Sequence, residues 1–195
     1  MSSNSDDHVL AQAIHDLGSA LWFGGTVMGV AGVNKSGSDL TQGIDRIRVA
    51  SAAWGRFAPA QWAGIAATLG AGLRLTQVGG RRVAMQQGFA RVGAVKAGLA
   101  VAGAGATAFS AYSGKKISEQ AEKAVQGGLG LQTKDATIPT EGTPVDVARW
   151  QKRQRISQFA VPVLAGANIV CNSWLTQNYR AGATLKGVVS RVLPG

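Results

Sequence analysis

The chain has 195 residues, a formal charge of +10 from 20 Lys and Arg against 10 Asp and Glu, and only 15% charged residues. Soluble domains carry nearer a quarter, and 27 glycines would each cost on the order of 1 kcal/mol in a water-solvated helix. These figures argue against a small soluble basic domain, and with Cys171 the single cysteine they exclude an intramolecular disulfide framework.

Every charge falls outside four stretches, residues 17–34, 57–73, 97–114 and 156–179. Each is long enough to cross a hydrocarbon core, which takes about 20 mostly apolar residues. The fold expected is all-α, an integral membrane four-helix bundle with amphipathic interfacial helices. It forms one membrane domain over 1–195, with spans at 14–34, 57–74, 95–114 and 156–179 and an extramembrane loop at 115–155. A soluble helical bundle with a Gly- and Ala-rich core is the competing architecture.

In chain order, Ser5, Asp6 and Asp7 read as a helix start, with anions on the positive end of the dipole. Acids stand where a signal peptide would be basic, so no cleaved signal is expected. A turn at 35–38 leads to an amphipathic surface helix over 39–56, with Leu40, Ile44, Ile47, Ser51 and Trp54 on one face. Arg56 and Pro59 mark the bend into the second span. The next connection carries Arg74, Arg81, Arg82, Arg91 and Lys96 with no acid, and it is expected to face anionic lipid headgroups. After the third span, Gly127 to Pro144 reads as extended. Thr143, Pro144 and Asp146 then read as the cap, first residue and first-turn anion of a helix leading into the fourth span, where Pro162 is expected to introduce a kink. Trp54, Tyr112, Trp150, Trp174 and Tyr179 lie at span ends, as in an aromatic belt. The tail reads as a short interfacial helix, with Leu185, Val188, Val189 and Val192 opposite Lys186 and Arg191.

Loops one and three hold 12 of the Lys and Arg and the opposite side holds 8, which favours both termini outside.

Few residues carry chemistry. His15 shares a helical face with Trp22, Gly18, Gly25, Gly29 and Gly32. It serves either as an interfacial group paired with Asp16 or as a haem or copper ligand, and the other spans supply no further His for such a site. Met28 and Cys171 are the soft donors. The third span repeats small residues every four positions, at Ala94, Gly98, Ala102, Ala106, Ser110 and Gly114, and Gly25 and Gly29 repeat at the same spacing in the first. Such faces pack helices in lipid, within the bundle or against another protein. Asn168 and Asn172 are polar groups of the fourth span that join helices more often than they bind substrate. Phosphate-cradling glycines, a nucleophile elbow, a zinc signature and a cysteine pair are missing from the sequence, and its basic residues flank apolar spans instead of alternating with stacking aromatics. No enzyme, cofactor, metal, nucleic acid or small-molecule substrate is therefore expected.

The phrase of His15, six residues and then Trp22-Phe23-Gly24-Gly25 resembles the first helix of copper-resistance D-type membrane proteins, which implies a membrane-edge His in contact with metal or haem. Across its length the chain resembles a group of small four-span membrane proteins common in actinobacteria. The residues that carry the likeness are HDLGSALWFGGTVMG from His15, AAWGRFAPAQW from Ala52, GKK from Gly114 and GTPVDVARWQ from Gly142. The group includes an accessory subunit of the corynebacterial cytochrome bc and oxidase supercomplex. That resemblance implies a multi-pass protein of the bacterial plasma membrane, a non-catalytic accessory or assembly subunit of a larger, respiratory complex. The partners it implies are other integral membrane subunits and anionic lipids.

Overall fold

The computed structural model describes residues 3–85 and 88–192, with side chains described over 7–79 and 88–178. It is all-helical, and among the described residues it holds no strand beyond an isolated bridge between Thr133 and Pro139. Four long helices account for the architecture: α1 (Ser3–Met28), α2 (Gly43–Met85), α3 (Phe89–Gln126) and α4 (Val145–Val192). Each packs antiparallel on its sequence neighbour and α4 closes the ring on α1, an up-and-down bundle with the starts of α1 and α3 and the ends of α2 and α4 at one end.

The helices outrun the expected spans. The surface helix read at 39–56 is continuous with the second span, and Pro59 lies inside α2 without ending it. Most of the expected loop at 115–155 is also helix, because α3 continues to Gln126 and α4 begins at Val145. The tail read as a separate interfacial helix continues α4; its side chains, with those of Ser5, Asp6, Arg81, Arg82 and Tyr179, lie outside the described residues.

Residues 127–144 are folded down onto the bundle end. Asp135 Oδ1 accepts from the amides of Thr137 and Ile138 at 2.7 and 2.8 Å, Thr133 Oγ1 donates to the Ile138 carbonyl, and Gln151 Nε2 of α4 donates to Thr133 Oγ1 at 2.8 Å. Thr143 belongs to this network and does not cap α4: its hydroxyl donates to the Gln132 carbonyl and accepts from the Thr140 amide, while the Pro144 carbonyl takes the first helical bond, from Ala148. Under this cover Ile44, Ile47, Ile117, Ala121 and Val147 form an apolar core. On its outside Arg48 donates to both carboxylate oxygens of Glu122, at 2.7 and 2.8 Å, and these hydrogen bonds hold Glu122 below the usual carboxylate range.

The interior mixes apolar and polar groups, and apolar side chains are abundant on the outside. Large apolar side chains stand exposed on all four helices, among them Leu17 and Met28, Leu73, Val101 and Phe109, and Ile156, Val163 and Val170. The buried positions include His15, Ser19, Thr26, Gln61, Thr68, Thr107, Gln151, Gln154, Gln158, Asn168 and Asn172. Two helices, α3 over Phe89–Gln126 and α4 over Val145–Asn178, are long and apolar enough to cross a membrane. Only 17% and 22% of their apolar windows are buried in the protein, whereas the core helix of a soluble bundle is mostly buried.

Candidate functional site

The interior is built on a heptad-like seam. In α4 the inward positions are Val147, Gln151, Gln154, Gln158, Val161, Ala165, Asn168 and Asn172, alternating steps of four and three residues, the spacing that keeps one face of a helix on its partners in a left-handed bundle. Five of the eight are Gln or Asn. A search for apolar periodicity passes over such a seam, whereas amides at four-three spacing inside an uncharged stretch reveal it. The first helix answers with Ala11, His15, Ser19, Trp22 and Thr26. Beyond them a π turn at Gly29–Val33 inserts one residue, so that Asn34 instead of Val33 faces inward and Gly32, expected on the His15 face, is exposed.

At the end holding the termini, a polar cluster surrounds Asp16. His15 is 1% exposed, its Nδ1 lies 3.3 Å from Asp16 Oδ1, and its Nε2 is buried without a hydrogen-bond partner among the described residues. Asp16 Oδ1 also accepts from Gln12 and Asn172, each at 2.8 Å. Lys96, read from the sequence as facing lipid headgroups, turns inward instead: its Nζ donates to Asn172 Oδ1 at 2.6 Å, and its backbone carbonyl accepts from Asn168 Nδ2. Position 96 continues the inward series of Ala100, Gly103 and Thr107, and a count of charges along a loop carries no such direction. Of the other basic residues in that connection, Arg74 pairs with Asp7 at 3.4 Å and Arg91 is exposed. Among the described residues no three His, Cys, Asp or Glu side chains gather as a metal-binding group. Met28 is 70% exposed on the outer surface, while Cys171 lies half-buried in α4.

Midway along the bundle Trp22 is fully buried against Ile65, Val161 and Ala165, and its Nε1 donates to Thr107 Oγ1 on the diagonally opposite helix at 3.2 Å. The expected packing glycines of α1 lie on α2. Cβ atoms at Gly25 and Gly29 would fall 2.1 Å from the rings of Phe57 and Trp54. The tightest backbone approach between α1 and α2 is at Gly18, whose Cβ would lie 2.7 Å from the Gly64 carbonyl oxygen.

The small-residue series of α3 is not one face. Steps of four residues advance about 400° around an α-helix, so the series drifts by about 40° each time. It begins outside, with Ala94, Gly98 and Ala102 exposed, and winds inward to Ala106, beside the Trp22 cluster, and Ser110, which accepts from Gln154 Nε2 at 3.0 Å. A Cβ at Gly98 or at Gly105, seven residues on, would meet nothing within 4 Å.

Toward the covered end the seam widens into a cavity of about 340 Å³ reached by all four helices and by residues 136 and 137. Four side-chain amides, Asn34, Gln61, Gln154 and Gln158, stand on its wall among Ser and Thr hydroxyls. Asn34 Nδ2 donates to Gln158 Oε1 at 2.7 Å, and Asn34 Oδ1 accepts from the indole Nε1 of the half-buried Trp54 at 2.8 Å. With this geometry in place, comparison with known proteins finds no matching family model, curated protein or solved structure.

Proposed function

We propose that the chain is a four-span protein of a bacterial plasma membrane, both termini outside, acting as a non-catalytic accessory subunit that binds the flank of a larger, respiratory assembly. The supporting observation is the outer face of α3, where Ala94, Gly98, Ala102 and Gly105 form an exposed strip of small residues beside Val101, on the side opposite the bundle interior. In lipid, apolar surface alone drives little helix association, and close backbone approach at small residues supplies the attraction. Such a strip costs nothing to the bundle and offers a partner helix a close approach. The exposed Arg74 and Arg91 suit anionic headgroups shared with that partner. The respiratory assignment rests on the resemblance carried by the sequence.

Gly98→Leu tests the reading. Solubilised gently, the wild-type protein is expected to migrate in native electrophoresis with an assembly much larger than its own 20.0 kDa. Gly98→Leu should lose that association while its unfolding stability stays within about 0.5 kcal/mol of wild type, the usual range for surface substitutions. Migration as a monomer, or stoichiometric haem or copper that disappears in His15→Ala, would contradict it.

A further inference from the structure

The cavity between the helices carries a second role. Gln61 lines it and is 7% exposed, yet its side-chain amide makes no hydrogen bond to any described residue. Its amide atoms are not enclosed by protein and open onto the cavity; an amide left unpaired in an apolar space costs on the order of 1–3 kcal/mol, which an occupant with a polar head would relieve. Gln154, 7% exposed on the same wall, spends its Nε2 on Ser110 and leaves its Oε1 unpartnered. Both ends of an amide, donor and acceptor, match a hydroxyl.

Two features define the rest of the occupant. The charged side chains at the cavity are Lys115 and Glu119, which pair with one another at 3.9 Å, and Glu119 also pairs with Lys116 at 2.7 Å, so no unpaired charge faces the interior. The exposed lining residues Ser51, Gly55 and Trp62 of α2 and Ala111 of α3 place the opening between those two helices, toward the apolar exterior. A volume of about 340 Å³ is at the small end of the range for ligand sites. That is room for a small polar head and the start of a chain, whose remainder would pass out between the helices.

We infer that the cavity binds an uncharged amphiphile, a hydroxyl-bearing head on an apolar tail, with the head on Gln61. This rests on the reading of the bundle as embedded in lipid, from which the molecule enters.

The probe is monooleoylglycerol with a dibrominated chain, titrated onto the detergent-purified protein. Trp54 and Trp62, both on the cavity wall, report its arrival through quenching of their fluorescence. Saturable quenching reversed by unbrominated monooleoylglycerol, and not by phosphatidylglycerol, is expected. Gln61→Leu should weaken binding about tenfold, the loss of a good hydrogen bond, without lowering the melting temperature of the ligand-free protein, because it removes an unpaired buried amide. Gly55→Phe, at a position where a Cβ meets nothing within 4 Å, should block the opening and abolish saturable quenching. Displacement by a long-chain alkylhydroquinone at lower concentration than monooleoylglycerol would assign the head to a redox lipid, and the reverse to a glyceride. Binding unchanged in both variants, quenching that never saturates, or equal displacement by the anionic lipid would overturn the inference. A protein that carbonate strips from membranes would instead overturn the lipid-embedded reading, whatever the probe does.

Discussion

Trp22→Ala is expected to lower the unfolding free energy by about 3–5 kcal/mol, the range for deleting a fully buried large aromatic. The ring has no exposed surface, packs on three helices and carries a hydrogen bond to Thr107 across the diagonal of the bundle. Collapse into the space left behind is opposed by Gly103, where a Cβ would already stand 2.7 Å from the ring, since no side chain there can swing in. Thr107→Val removes this hydrogen bond and the one from the Thr107 hydroxyl to the Gly103 carbonyl, leaves the buried indole N–H unpaired, and should cost about 1–3 kcal/mol. Equilibrium unfolding of both variants in mild detergent separates the two contributions; a Trp22→Ala protein as stable as wild type would mean that the ring is not the central packing group.

A comparable loss is expected from Gly18→Leu. Overpacking a core with flexible neighbours costs roughly 1–3 kcal/mol, but here the new Cβ meets backbone, the Gly64 carbonyl oxygen at 2.7 Å and Thr68 N at 3.0 Å, with Ala67 Cβ at 2.8 Å. Backbone in mid-helix cannot move aside without parting α1 from α2, so the pair must separate along its length. The hydrogen bond between Ser19 and Thr68, 3.2 Å long and next to this crossing, would go with it. Gly24→Leu is the control, since a Cβ at Gly24 has open space. Thermal melts should show Gly18→Leu unfolded or greatly destabilised and Gly24→Leu near wild type; the reverse order would contradict the pairing of α1 on α2.

These two residues also show what can be read from sequence and where reading stops. Helices were legible as charge-free runs, and His15, Gly18 and Trp22 shared an inward face because ordinary helical spacing relates them. Asn34 was not legible as an inward residue, because a single π turn shifts the register after Gly29 and local sequence does not announce it. Gln61 was passed over for a related reason: a lone amide among Ala, Gly and Trp looks like a polar accident until the helices opposite it are known. Lys96 failed in the other direction, since its position in a basic connection suggested headgroups while its place on α3 turned it toward Asn172. Even the series from Ala94 to Gly114, the most regular pattern in the chain, misled by its regularity, because steps of four are not a repeat of the α-helix.

The central claim, a chain that crosses the membrane four times, is tested most directly by thiol labelling in intact cells. In a Cys171→Ala background, single cysteines at Ser3 and at Glu141, an exposed position in the segment covering the far end of the bundle, are treated with an impermeant maleimide. The account predicts that Ser3→Cys reacts, that Glu141→Cys is protected until the cells are lysed, and that alkaline carbonate leaves both proteins in the membrane. Labelling of both positions in intact cells, or release of the protein by carbonate, would contradict it.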